Sequence, residues 1–178
     1  MNPTPATSAL DIRVLVVDDE PAVLESYRTI LDAHSSPASE LEQLRARLFS
    51  GHVGGTPVAR GRAYEFATTY VANAEDAVEA VRVAREQGQP FEVVFLDMRM
   101  PPGHDGVWAA ERIRAADRDV SIVFCTAFSD VDPAAVAQRV PPEEQLFYLQ
   151  KPFHVHEVRQ FAMALGFAWE VRRRARAA

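Results

Sequence analysis

The sequence predicts an α/β domain: a doubly wound, five-stranded parallel sheet, with an inserted helix and loop between its first helix and second strand. Three observations carry this. Five short apolar runs alternate with helix-period segments, which is the order of a parallel sheet with crossover helices. Four of the runs are nearly continuous in β-branched and aromatic residues, as strands covered on both faces must be. The chain has 178 residues, 48% hydrophobic and 25% charged, enough for one sizeable core and little more.

The strands are expected at Ile12–Val17, Tyr64–Tyr70, Phe91–Leu96, Val120–Cys125 and Gln145–Leu149. The second mixes threonines among its apolar residues and reads as an edge strand. Helices are expected over Pro21–Ala33, Glu75–Gln87, Val107–Ala116, Pro133–Val140 and from His154 onward. Pro21 and Pro133 suit the first helical position, and Asp132 is a natural cap before Pro133. Gly88 stops the second helix, and Pro141 and Pro142 stop the fourth.

Residues 35–62 break this rhythm, since most connections in compact domains run to about 4–6 residues. Ser39 and Glu42 have capping-box spacing ahead of Leu41, Leu44 and Leu48, so Ala38–Phe49 reads as an extra amphipathic helix. Gly51, Gly54, Gly55, Pro57 and Gly61 then mark a loop. This segment is either a tolerated insertion at the sheet edge or a surface for a partner or a second copy. Residues 1–10 read as a flexible leader, 11–170 as the domain and 171–178 as a helical extension.

Composition excludes several classes. A net charge of −6 gives no global basic footprint, so direct nucleic-acid binding is not expected. The lone Cys125 allows no internal disulfide and suits a reducing cytoplasm. No apolar run approaches the ~20 residues of a membrane helix.

Ligands of an open parallel sheet bind at the carboxyl ends of its strands. The first strand delivers Asp18, Asp19 and Glu20 there, the third Asp97, the fourth Thr126 and the small Ala127, and the fifth ends just before Lys151. Lys151 is the only lysine among nineteen basic residues. A compact ammonium kept where arginine is used everywhere else suits a tight site with room for one donor. Clustered carboxylates need a cation, and Mg²⁺ binds one or two of them while accepting phosphate oxygens. A carboxylate oxygen beside such a metal, with a hydroxyl and an ammonium to meet phosphoryl oxygens, is an arrangement for phosphoryl transfer.

Four segments carry a family resemblance: Val14-Leu15-Val16-Val17-Asp18-Asp19-Glu20-Pro21, Phe95-Leu96-Asp97-Met98-Arg99-Met100-Pro101, Cys125-Thr126-Ala127 and Lys151-Pro152-Phe153. In order and spacing they resemble the signatures of response-regulator receiver domains, which have a flavodoxin-like fold. The resemblance implies that Asp97 is the phosphoacceptor. It implies Mg²⁺ bound by Asp19 directly, by Asp18 through water, by Asp97 and by the backbone carbonyl of Arg99. Thr126 and Lys151 would contact the phosphoryl group, Tyr148 would be the switch aromatic, and the Lys151–Pro152 peptide would be cis. The implied partner is a sensor histidine kinase or phosphotransfer protein.

Two departures stand out, the segment 35–62 and a loop beside Asp97 that is one residue longer than usual, Met100 to Gly106. With Ser129-Asp130 and a tryptophan in the last helix, the pattern is similar to receivers within hybrid sensor kinases and cyclic-di-GMP enzymes. An aspartate-nucleophile phosphatase of the haloacid dehalogenase type is a rival. That family needs a second aspartate two residues after the nucleophile, where this chain has Arg99. A receiver fold acting as an interaction module without phosphorylation is the other rival.

Arg99 reads either as a solvated loop residue or as a shield over an aspartyl phosphate. Cys125 reads as inert core, His154 and His156 as solvated, and His104 as lacking a partner. In the last helix, Val158, Ala162, Leu165 and Trp169 form a coiled-coil-like apolar seam, some of which must cover the sheet. With Phe161, Phe167 and Val171 the helix is more apolar than one face can hide, which suggests a homodimer contact or a helix leading into a further domain. Arg172 to Arg174 and Arg176 suit the negative end of the helix dipole.

Overall fold

A computed structural model describes residues 10–32, 64–127 and 132–177. The expected helix over Ala38–Phe49, and the Ser129-Asp130 pair, lie outside them. The elements are β1 (Leu10–Val17), α1 (Pro21–Leu31), β2 (Tyr64–Val71), α2 (Ala74–Glu86), β3 (Val93–Asp97), α3 (Gly106–Ala116), β4 (Ser121–Ala127), α4 (Pro133–Arg139), a 3₁₀ turn (Glu143–Gln145), β5 (Leu146–Lys151) and α5 (Val155–Ala177). All strand pairs are parallel, in the order β2-β1-β3-β4-β5. The threonine-containing β2 is an edge strand, as its mixed composition predicts.

The two-residue period of a strand sends alternate side chains to opposite faces. Ile12, Val14 and Val16 of β1 accordingly join one core with Leu24, Tyr27, Val158, Ala162 and Leu165, between the sheet and the helices α1 and α5. Leu15 and Val17 join the other core, with residues of α2, α3 and α4. Every residue of β3 is buried. The β3, β4 and β5 strands run one or two residues beyond their expected ends, because backbone pairing continues through the polar residues that close each strand.

Helix starts follow their caps. Asn73 accepts a bond from the Asp76 N–H, Asp105 from the Trp108 N–H and Asp132 from the Ala134 N–H. At Gly88 the backbone turns left-handed, with φ of 71°, and α2 ends. The peptides preceding Pro102, Pro142 and Pro152 are cis, the last as the resemblance implies.

The loop after β3 is anchored at Gly106, whose N–H donates to the Met98 carbonyl at 3.1 Å. A Cβ at Gly106 would sit 2.2 Å from the Asp97 carbonyl oxygen and 3.0 Å from Met98 Cα, both backbone atoms that cannot rotate away. Gly106→Ala is therefore expected to destabilise the chain by about 3 kcal/mol and to displace the backbone at Asp97. Urea unfolding measures the loss, and a midpoint equal to wild type would contradict the close approach.

The arginines near the C-terminus of α5 do more than oppose the helix dipole. Arg172 donates to the Asp119 carbonyl and to Ser121 Oγ, and Arg176 pairs with the Asp119 carboxylate. The C-terminal turns of α5 are thereby tied to the α3–β4 connection.

Glu92 sits at the edge of the sheet opposite the carboxyl ends, accepts a short bond from the Arg13 N–H and lies near Glu170. Burial pushes its carboxyl up from 4.5 to about 7. Ionising Glu92 thus opposes folding, so its favourable contribution is complete below 4.5 and is lost as the pH rises to about 7. Glu92→Gln is expected to raise stability by about 1–2 kcal/mol at about pH 8, a range reduced because the carboxyl is only part-buried, and to change little at about pH 4. Urea titrations at the two pH values test this, and an equal gain at both would rule out the ionisation as its cause.

Candidate functional site

Parallel strands all end on the same side of a sheet, and the register sets which ends are neighbours. Val17 pairs with Leu96, so Asp18 and Asp97 leave β1 and β3 side by side. Asp97 pairs with Cys125, Thr126 with Gln150 and Ala127 with Lys151. Asp18, Asp19 and Asp97 each offer an oxygen within 4.8 Å of the others. Asp18 is almost wholly buried, and its Oδ1 accepts the Glu20 N–H at 3.1 Å, turning the chain into α1.

Lys151 reaches across from β5. Its Nζ donates to Asp18 Oδ2 at 2.6 Å and to Asp97 Oδ1 at 3.0 Å. Burial acts to lower the lysine's pKa, but its bonds to the two aspartates outweigh this and raise it, so the ammonium stays charged. On Asp97 the balance tips the other way. Burial raises the carboxyl, and Lys151 only partly offsets this while the Asp18 charge adds to it. Three carboxylates facing one ammonium leave the site with excess negative charge, and their all-oxygen donor set fits a hard divalent cation such as Mg²⁺.

Thr126 is half-exposed at the end of β4, and its hydroxyl donates to the Ala127 carbonyl at 2.8 Å. It points to its own strand and makes no bond to the carboxylates. Tyr148 is also half-buried. Its ring stacks on Phe124, with centroids 5.7 Å apart, and its hydroxyl is enclosed without a hydrogen-bond partner among the described residues. Phe124 is directly paired with Tyr148 and lies two residues before Thr126, so all three share the α3–α4 face of the sheet. Arg99 is exposed on the loop that follows β3 and, with Asp105, Asp132 and Arg139, borders a small cleft between that loop and α4.

Three features were not legible in the sequence. Tyr27 of α1 lies beneath the acidic cluster, against Phe95 and Phe153, with its hydroxyl 3.0 Å from Cys125 Sγ. Burial pushes the Tyr27 phenol far up, aided by Cys125 and the charges of Asp18 and Asp97. Burial also pushes the Cys125 thiol up to about 12, which makes it unreactive, as its place inside a strand suggests. Tyr27 occupies an apolar position of α1 with Leu24 and Ile30, and that spacing was its only signal. His104, expected to lack a partner, instead stacks on Trp108 at 3.8 Å, with Nε2 3.9 Å from Glu75. Arg112 covers Trp108 as well.

A groove of about 730 Å³ opens beside Lys151, between α1 and the β5–α5 connection, lined by Val23, Ile30, Pro152 and Phe153 among others.

The model of the response regulator receiver domain family matches residues 62–162. That span begins after β1 and α1, so Asp18 and Asp19 join the matched residues only through the sheet. A curated relative, sporulation initiation phosphotransferase F of Bacillus subtilis (strain 168), is 28% identical over 94 residues, covering 53% of this chain and 68% of its own. Among solved structures, a response regulator receiver protein from Sinorhizobium medicae WSM419 superposes with a TM-score of 0.58 at 19% identity, over 89% of this chain and 97% of the other. A CheY-like receiver domain protein from Methanospirillum hungatei JF-1 gives 0.61 at 16% identity, over 92% and 99%. At such identities the structural likeness is one of fold.

Proposed function

Proceeding from the fact that this chain belongs to the response regulator receiver domain family of two-component signalling, we propose that it is a phosphorylation switch whose acceptor is Asp97. The donor is a phosphohistidine on a sensor histidine kinase or phosphotransfer protein in the cytoplasm. An Asp97 carboxylate oxygen forms the new bond to phosphorus, the bond from phosphorus to the donor's imidazole nitrogen breaks, and the imidazole keeps the electron pair and takes a proton. The observation that carries this reading is the convergence of Asp18, Lys151 and Asp97 at bonding distance from three different strands.

Each side chain has a task. Lys151 moves from a carboxylate bond to a bond with one phosphoryl oxygen, which holds the group in line with Asp97. Asp18, Asp19, Asp97 and the Arg99 carbonyl would hold Mg²⁺, which when bound supplies charge neutralisation at the phosphoryl oxygens. The Thr126 hydroxyl gives up its bond to the Ala127 carbonyl and donates to a phosphoryl oxygen. Its inward turn frees space on the face it shares with Tyr148, whose unbonded hydroxyl and half-buried ring can then move between two packed positions. The chain turns over only its own phosphoryl group. The receiver spans 11–170, with 35–62 as an insertion and 171–178 as an extension.

The test is intact mass after incubation with acetyl phosphate, with and without Mg²⁺. One phosphoryl adduct that appears only with Mg²⁺ is the expected result. A folded chain that gains no adduct in Mg²⁺ would leave an interaction module of receiver fold as the reading.

A further inference from the structure

Lys151 is the last residue of β5, and β5 is an edge strand, so among the described residues its backbone is paired on one side only, with Ala127 of β4. Its two acceptors lie further in, Asp97 at the end of β3 and Asp18 just beyond the end of β1. Neighbouring strands are about 4.8 Å apart, so the ammonium crosses two strand spacings to one carboxylate and three to the other. A flexible four-carbon stem spans such a gap only from a well-placed backbone. After Lys151 the chain runs along the surface. Of residues 152–157, Phe153 alone is half-buried, and the others are exposed until Val158 enters the core.

Phe153 rests on Tyr27, with ring centroids 4.8 Å apart. Tyr27 is buried on α1 and touches two further elements, each next to a residue of the site. Its ring lies 5.5 Å from that of Phe95, which is two residues before Asp97 and on the same face of β3. Its hydroxyl is 3.0 Å from Sγ of Cys125, which pairs with Asp97 and precedes Thr126. The Cys125 thiol donates to the Val123 carbonyl at 3.7 Å, which leaves the sulfur to accept the phenol's proton. The ring is thereby fixed at both its face and its tip.

We propose that Tyr27 is a positioning residue for phosphoryl transfer: its ring, held by Phe95 and Cys125, seats Phe153 and so sets the backbone from which Lys151 reaches Asp97 and Asp18. A smaller side chain lets Phe153 sink toward α1 and draws the end of β5 with it. The ammonium then loses its bonds to the two carboxylates and its place opposite a phosphoryl oxygen. A displacement of about 1 Å at such a group is enough to slow a reaction on the order of a hundredfold. The effect on transfer rests on Asp97 being the acceptor, whereas the seating of Lys151 does not.

Because Lys151 is the only lysine, the full chain labelled with ¹³C-lysine gives one side-chain signal that reports the ammonium's surroundings. The test records that signal in chelator, and the rate of adduct formation from acetyl phosphate in Mg²⁺. Tyr27→Leu should move the signal toward that of an unbonded lysine and slow the adduct by at least about tenfold. Tyr27→Phe, which restores the ring, should recover the wild-type signal and rate. Phe153→Ala changes a half-exposed position, leaves Tyr27 whole and should reproduce the shifted signal. Val81→Ala, in the core on the other side of the sheet, should lower the urea midpoint and leave signal and rate unchanged. A lysine signal unmoved in Tyr27→Leu and Phe153→Ala would overturn the proposal, as would an equal shift in Val81→Ala or no recovery in Tyr27→Phe. A signal that shifts as expected, in a chain whose wild type gains no adduct, would support the seating of Lys151 by Tyr27 and count against phosphorylation alone.

Discussion

Chains carrying Asp97→Asn are expected to acquire no phosphoryl group from acetyl phosphate under conditions in which the wild-type chain acquires one. The change is small in shape and complete in chemistry. An amide oxygen carries no formal charge and shares its electron density with the C–N bond, so it is a poor nucleophile toward phosphorus. The surroundings stay in place, because an asparagine oxygen still accepts the bond that Lys151 now makes to Asp97 Oδ1 at 3.0 Å. Stability is expected to stay within about 1 kcal/mol of wild type without metal. Burial opposes the Asp97 charge, and the repulsion between Asp97 and Asp18 disappears on neutralisation, which offsets the weaker bond from the lysine. Mass spectrometry reads the adduct and urea unfolding reads the fold. A full Mg²⁺-dependent adduct on the variant would move the acceptor to a neighbour such as Asp19 or Thr126.

Lys151→Met should have the larger effect on stability. The Lys151 ammonium is the cation bonded to Asp18, whose side chain is 1% exposed, and to Asp97. Removing one partner of a buried ion pair leaves the other uncompensated, at a typical cost of about 3–5 kcal/mol. The Lys151 side chain keeps 19% and the Asp97 side chain 10% of their exposure, so a loss at the lower end, about 3 kcal/mol, is expected in the presence of a chelator. If Asp18, Asp19 and Asp97 form a cation site, Mg²⁺ should recover much of that loss, and should stabilise the variant more than it stabilises wild type. Urea midpoints with chelator and with Mg²⁺ test both parts. A variant as unstable in Mg²⁺ as in chelator would show that the three carboxylates do not share a cation.

Much of this architecture was legible in the chain. Continuous β-branched runs marked the buried strands, threonines marked β2 as an edge, and Pro21, Asp132 and Gly88 marked helix ends. The site was legible for a simple reason. Parallel strands end on one side, so the polar residues closing β1, β3, β4 and β5 had to share an edge. The family match beginning at residue 62 shows the complement of this: β1, with Asp18 and Asp19, is separated from it along the chain and joined to it only by pairing.

Packing between elements was not legible. Hydrophobic periodicity says which side of its own helix or strand a residue faces, and nothing about what arrives from another element. It placed Tyr27 on the inner face of α1 without showing that its hydroxyl meets Cys125 under the acidic cluster. It set Val158, Ala162, Leu165 and Trp169 apart as one seam of α5, some of it covering the sheet, without showing that all four are buried while Phe167 stays on the open face. It left His104 alone, although the loop after β3 brings it onto Trp108. The sequence by itself determined the order of the elements, the edge at which the chemistry lies and the residues present there. Only the tertiary structure decided that Lys151 bonds both Asp18 and Asp97, that Thr126 turns to its own strand, and that Arg172 and Arg176 tie α5 to Asp119. Those contacts depend on distances between segments far apart in the chain, and no local pattern encodes such distances.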